Sequence, residues 1–191
     1  MKILGINASP RIGGNSDLLL DKALEGAKSA SGIVEKIVLS ELKFSPCQEC
    51  EKISHDGLCL VQDEFQIIFD KIKQADALIL VSPIFFGSVS AQAKMMIDRF
   101  QCAWVGKNIF KKEVFPKKGI GTFICVQASD RMDFIDNAKA IVKNLFAVIN
   151  FEYKKELFVV RVSKKAQIKD FPDILVKAFD LGKSIAGNKD N

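Results

Sequence analysis

No apolar stretch in the 191 residues approaches the roughly 20 needed to cross a bilayer, so no membrane-spanning segment is expected. Neither common nucleotide loop is present. The chain has no Gly-x-Gly-x-x-Gly, and its first strand–helix loop carries no Gly-Lys-Ser/Thr, which counts against a Rossmann dinucleotide site and against an ATPase. The net charge of +5 is not gathered into a basic block interleaved with aromatics, so nucleic acid is not an expected partner. The mild positive balance does suit phosphates and dinucleotides. Internal repeats and low-complexity tracts are absent, and histidine and tryptophan occur once each. Cysteines stand at 47, 50, 59, 102 and 125, an odd count. The opening Met-Lys-Ile-Leu-Gly-Ile-Asn stops short of a signal peptide. A disulfide framework is therefore not expected, and a cytoplasmic protein is.

The composition, 48% hydrophobic and 27% charged, is that of an ordinary globular chain. Its length suits one domain, expected over 1–186 with a frayed tail at 187–191. Strand-like and helix-like segments alternate throughout. Strands are predicted at Lys2–Asn7, Ile33–Leu39, Ala77–Val81, Gly119–Val126 and Leu157–Val162. Helices are predicted at Ser16–Ala30, Glu64–Lys73, Ser90–Cys102, Phe134–Val148 and Ile174–Ile185. Five strands alternating with five helices imply an α/β fold, a doubly wound parallel sheet in the flavodoxin-like order 2-1-3-4-5. Two segments interrupt the rhythm as long connections, the cysteine-bearing 44–63 and Val105–Lys118.

In such a sheet, ligands bind beyond the carboxyl ends of the strands. The first strand ends in Ser9-Pro10-Arg11-Ile12-Gly13-Gly14-Asn15-Ser16. Ser9 and Ser16 bring hydroxyls, Arg11 a permanent cation, the glycines close backbone approach, and the next helix a positive dipole end. The same loop also reads as a plain Gly-rich turn capped by Asn15 or Ser16, with Arg11 solvated. Ser82-Pro83-Ile84-Phe85-Phe86-Gly87-Ser88 follows the most apolar strand. Its two phenylalanines offer an apolar surface for a flat ring, though one of them is expected to fold back into the core.

Ser-Pro-Arg-x-Gly-Gly-Asn-Ser, taken with Ser-Pro-Ile-Phe-Phe-Gly-Ser-Val-Ser-Ala-Gln-x-Lys-x-x-Ile-Asp-Arg at 82–99, resembles the NAD(P)H-dependent FMN reductase superfamily. The branch containing iron–sulfur flavoproteins is the most similar. The resemblance implies that Ser9, Arg11, Asn15 and Ser16 bind the FMN phosphate. Ser9 and Arg11 are expected to face solvent. It also implies that Pro83, Ile84, Phe85, Phe86 and Gly87 line the isoalloxazine ring. Phe85 stands where many relatives carry Tyr. A third contact is implied around Gln127 to Ser129. Asp98 and Arg99 are expected to form a structural ion pair or helix-end contacts.

Cys47-x-x-Cys50 followed by Cys59 is similar to the compact motif by which iron–sulfur flavoproteins ligate a [4Fe–4S] cluster. Ile53, however, occupies the position of the usual third cysteine. His55 turns the segment into Cys-x2-Cys-x4-His-x3-Cys, the ligand types of a Cys3His zinc site. A degenerate remnant without metal, an iron–sulfur cluster with a non-cysteine fourth ligand, and zinc all stay open. Cys102 and Cys125 read as small buried hydrophobes.

The implied function is an FMN-dependent NAD(P)H oxidoreductase that passes electrons to a flavin, quinone or similar acceptor, with no catalytic side chain required. A flavodoxin-like or cluster-assisted carrier between redox proteins is the first alternative. A non-catalytic flavin-binding module is the second. In relatives the flavin often lies at a homodimer or homotetramer interface, and the stretch Phe100, Trp104, Val105 is a candidate surface for a second subunit.

Overall fold

The computed structural model describes residues 1–49 and 52–187. Its centre is a sheet in the order β2-β1-β3-β5-β6, with β4 paired only to β3. The strands are β1 (Lys2–Asn7), β2 (Ile33–Val38), β3 (Ala77–Phe85), β4 (Ser88–Val89), β5 (Gly119–Val126) and β6 (Phe151–Val159). All pairings are parallel except β3–β4. Setting β4 aside, this is the expected five-strand flavodoxin-like order, with its switch point between β1 and β3.

Two hydrophobic layers sandwich the sheet. One joins Leu19, Leu20, Ala23 and Ala27 of α1 (Asn15–Ser29) with Ala178 and Ile185 of α6 (Pro172–Gly187), against Ile3, Ile79 and Ile124. The other joins α2 (Phe65–Gln74), α3 (Ala91–Arg99), α4 (Gln101–Asn108) and α5 (Met132–Val148), against Leu4, Leu78, Leu80 and Phe123. α1 and α6 touch backbone to backbone. A Cβ built on Gly26 would lie 1.9 Å from the Phe179 carbonyl oxygen, and one on Gly182 would lie 1.7 Å from that of Ala23. Only glycine fits at either position. This docking draws the β6–α6 connection back across the sheet to the start of α1.

Four expectations are corrected. The helix predicted over Ser90–Cys102 breaks at Phe100, and α4 fills the start of the supposed 105–118 loop. Phe100 is 2% exposed among Phe65, Phe69 and Phe115, and burying its ring bends the chain at that point. It therefore offers nothing to a second subunit. β6 begins at Phe151, and only its last three residues fall in the predicted Leu157–Val162. An edge strand carrying Glu152, Lys154 and Lys155 escapes a reading based on apolar runs. β3 runs on through Ser82–Phe85, so half of the second loop is strand. Gly187 belongs to α6 rather than to a tail, while 188–191 lie outside the described residues. No helix among the described residues is long and apolar enough to cross a membrane.

Candidate functional site: a cleft at the β1–β3 switch point

β1 ends in Asn7, which is fully buried, and its side chain organises the loop that follows. Asn7 Oδ1 accepts the Ser9 N–H at 2.9 Å, and Asn7 Nδ2 donates to Asp17 Oδ1 at 2.7 Å. Asp17 Oδ2 accepts the Gly13 N–H at 2.7 Å, and Lys36 Nζ reaches Asp17 Oδ1 at 2.7 Å. Burial alone would raise the Asp17 carboxyl. Lys36, the Gly13 N–H and Asn7 outweigh it and hold the group below the usual carboxylate range. Gly13 sits at φ +67°, a conformation suited to glycine. Gly14 is the residue that caps α1, and no side chain takes part, so neither Asn15 nor Ser16 is the cap. Among the described residues the N–H groups of the first helical turn thus have no side-chain cap, and Gly14, Asn15 and Ser16 place the positive dipole end of α1 at the cleft.

Ser9 and Ser16 are 4% and 3% exposed, so the expectation that Ser9 faces solvent is wrong; Arg11 is exposed as expected. Ser9 Oγ accepts the Arg11 N–H at 3.1 Å, which leaves its hydroxyl proton free to donate. Both Asn15 side-chain atoms are committed. Nδ2 donates to the Lys164 carbonyl at 2.9 Å, and Oδ1 accepts the Ile168 N–H at 3.0 Å. Asn15 therefore pins the β6–α6 connection onto the first loop, and any ligand contact it makes is through its backbone N–H.

The second loop closes the cleft from β3. Ser90 Oγ donates to the Ala8 carbonyl at 2.6 Å and accepts the Ala93 N–H at 3.1 Å, tying the start of α3 to the end of β1. Ser82 Oγ accepts the Ser90 N–H at 2.9 Å. β3 and β4 form a two-residue hairpin whose turn residues, Phe86 and Gly87, have φ of +50° and +75°. This is the turn geometry that suits the twist of a tight hairpin, and it is strained for phenylalanine. Neither phenylalanine folds into the core. Strand alternation buries Ile84 and turns Phe85, 43% exposed, to the cleft. The turn throws Phe86 fully into solvent.

A cavity of about 230 Å³ lies between these loops. Its walls include Ser9, Arg11, Asn15, Ser16, Pro83, Ile84, Phe85 and Gln127, eight of the ten residues assigned from sequence to a cofactor. Phe86 and Gly87 are not on it, because the hairpin turn carries them past its rim. Gln127, 3% exposed, donates from Nε2 to the Arg131 carbonyl at 2.9 Å, while its buried Oε1 has no partner among the described residues. An unpartnered buried acceptor in the cavity wall fits a ligand that presents an N–H.

Sequence reasoning missed a fourth contributor, the connection Val162–Ser163–Lys164–Lys165. Val162, Ser163 and Lys165 line the cavity. Arg11 Nη1 donates to the Ser163 carbonyl at 3.4 Å, and Lys165 Cε lies 3.8 Å from where a Cβ on Gly13 would stand. Lys165 is exposed and has no ion-pair partner among the described residues. The doubled lysine beyond the last strand was the available signal, but nothing local says that this segment returns to β1.

The cysteine segment builds a separate cavity of about 350 Å³, and Cys50 lies outside the described residues. Among the described residues, no three His, Cys, Asp or Glu side chains gather to hold a metal. His55 is exposed, with its ring 5.4 Å from that of Phe110. Cys47 is exposed, Cys59 is half-buried, and Ile53 pairs with Cys59 in an antiparallel bridge. With Cys50 outside the described residues, the candidate set Cys47, Cys50, His55 and Cys59 is described at three of its four positions. Cys102 and Cys125 are buried, and burial pushes their thiols up to about 11 and about 12. Asp98 pairs with Lys94 rather than with Arg99. Arg99 turns inward to Asp63 at 2.7 Å and lies over the Phe65 ring.

The sequence profile of the family described as NADPH-dependent FMN reductase matches residues 1–133. An iron–sulfur flavoprotein of Methanocaldococcus jannaschii is 38% identical over 112 residues, 59% of this chain and 58% of that one. A Bacillus subtilis protein named as an NAD(P)H-dependent FMN-containing oxidoreductase is 34% identical over 100 residues, 52% of each chain. A solved flavone reductase superposes with a TM-score of 0.73 at 23% identity, over 97% of this chain and 62% of its own; this is a likeness of fold. The matches span about half the length of the curated relatives. With two thirds of its residues inside the family profile, and with the two loops set about one cleft, the chain belongs to the NADPH-dependent FMN reductase family.

Proposed function

We propose that the cleft binds FMN and that the protein oxidises a reduced nicotinamide, passing the electrons to a small acceptor such as a flavin or quinone. The observation that carries this reading is the convergence of the Ser9–Ser16 loop, the Pro83–Phe85 segment and Gln127 on one cavity. FMN, when bound, supplies the acceptance and release of hydride. The protein's own groups bind and orient. Arg11 and Lys165 bring two cations to the phosphate end, and the N–H groups at the start of α1 meet an anion there without a competing cap. Ser9 and Ser16 add hydroxyl donors. Pro83, Ile84 and Phe85 give an apolar wall that keeps water from one side of a flat ring, and Gln127 Oε1 stands ready to accept from its polar edge. None of these groups needs to change its protonation state, so no general acid or base is assigned. We further propose a homodimer or homotetramer, for which the half-exposed Trp104 and the exposed Phe86, Ile109 and Met132 are surface candidates.

Anaerobic mixing of FMN-loaded protein with NADH and, separately, NADPH tests this function. Bleaching of the flavin band by either donor, followed by its return on adding a quinone, is expected. Bound flavin that neither nicotinamide bleaches would leave a carrier or a non-catalytic flavin module.

A further inference from the structure

Cys59 and Cys102 are 43 positions apart in sequence, yet the fold sets them side by side. The Cys59 N–H donates to the Cys102 sulfur, and Cys102 Sγ donates in turn to the Arg99 carbonyl at 3.2 Å. Arg99 Nη2 donates to Cys59 Sγ at 3.3 Å, so a single residue touches both sulfurs. The approach is enforced by backbone. A Cβ on Gly57 would stand 2.7 Å from the Cα of Gly106, and the converse holds, which presses the chain entering Cys59 against α4 one turn beyond Cys102. On its other side Cys59 is bridged to Ile53.

This junction forms one wall of the 350 Å³ cavity, where Cys59 and Cys102 sit among Pro46, Val61 and Phe110. Arg99 is 3% exposed and lines the same cavity. Its Nη1 is held by Asp63 at 2.7 Å and by the Ser45 carbonyl at 2.9 Å, while its Nε has no partner among the described residues. A buried guanidinium that donates to a half-buried sulfur holds that sulfur at the wall of a cavity, where a small disulfide can reach it. The cleft at the β1–β3 switch point makes no use of this arrangement, since its walls share no residue with this cavity.

We propose that Cys59 and Cys102 are a reversible dithiol–disulfide pair, with Cys59 as the attacking sulfur and Cys102 as the resolving one, oxidised by a small disulfide that enters this cavity. The Cys59 thiolate attacks one sulfur of RS–SR, forming a mixed disulfide and releasing RS⁻, which takes up a proton. Cys102 then loses its proton to solvent and attacks the Cys59 sulfur, expelling the second RS⁻. The two cysteines give up two electrons and two protons, and RS–SR becomes two RSH. Arg99 acts as a positioning residue that holds Cys59 for both displacements. The exposed Cys47 is the nearest rival in the cavity wall.

The test uses the full chain as purified with its flavin. It is incubated in oxidised glutathione, its free thiols are then blocked with N-ethylmaleimide, and peptides are mapped by mass spectrometry without reduction. A Cys59–Cys102 linked peptide that dithiothreitol removes is expected. In Cys102→Ala, Cys59 should instead accumulate as a stable glutathione adduct. In Cys59→Ser, Cys102 should take up none. Linkage through Cys47 or Cys50 instead, absence of any Cys59 adduct, or iron or zinc bound stoichiometrically and shielding these thiols would each overturn the proposal. The wild-type map decides the matter even where a variant fails to fold, and it does not depend on the outcome with nicotinamides.

Discussion

Asp17 Oδ2 accepts the Gly13 N–H at 2.7 Å, so the acid that follows the first loop fixes the shape of that loop from within. Through Oδ1 it also holds Asn7, and Asn7 holds the Ser9 N–H, so one carboxylate sets both ends of the first loop. Asp17 is 5% exposed, and its partner Lys36 keeps a quarter of its side chain in water. Asp17→Asn removes the charge, and its amide cannot accept at both positions. A loss of about 2 kcal/mol of stability at neutral pH is expected in urea unfolding. The Asp17 carboxyl is depressed in the fold below its ordinary value of 3.8. Its contribution is therefore complete above that value and fades as pH falls through the folded one. The gap between wild type and variant should narrow in acid. A gap that widens in acid would contradict this role.

Gly182→Ala puts a methyl 1.7 Å from the Ala23 carbonyl oxygen, and neither backbone can yield without separating α1 from α6. A loss of about 3 kcal/mol or more is expected from such overpacking. Because that docking brings Lys165 and Ser163 to the first loop, FMN affinity should fall together with stability. Unfolding curves and a flavin titration on the same preparation check both.

Phe86→Gly should stabilise the free chain by about 1 kcal/mol. It relieves a phenylalanine at φ +50° and removes no buried contact. If Phe86 is kept because a second subunit covers it, the same variant should shift sedimentation toward smaller species. Lower stability without any change in assembly would show that its strain is offset by contacts within the chain.

The parts of the site that depend on neighbouring residues were legible in the sequence. Ser9 to Ser16 and Pro83 to Phe85 sit at strand ends, and the parallel order alone brings those ends together. Gln127, implied only by the family resemblance, stands at the end of β5 and lines the same cavity. The parts that depend on distant packing were not legible. Lys165 reaches the cleft only because glycines at 26 and 182 let α6 lie directly on α1. That the side chain of Asn15 holds the Lys164 carbonyl and the Ile168 N–H follows from the same packing. Phe86 looked like core or ring contact; it lies outside the core and off the cavity wall, because the two-residue hairpin needs positive φ at that position and points the ring outward. Asp98 and Arg99 were expected to form an ion pair or helix-end contacts, whereas the end of α3 turns Arg99 inward to Asp63, 36 residues earlier.

The central claim is that the cleft is an FMN site whose affinity comes largely from the phosphate end. Titrating apoprotein with FMN and with riboflavin, which lacks only that phosphate, tests it most directly. Two charge-assisted contacts, from Arg11 and Lys165, predict one FMN per chain and riboflavin binding weaker by at least about 100-fold. The double variant Arg11→Ala with Lys165→Ala should lose most of that preference. Equal affinity for the two flavins, or a preference untouched by the double variant, would contradict the assignment.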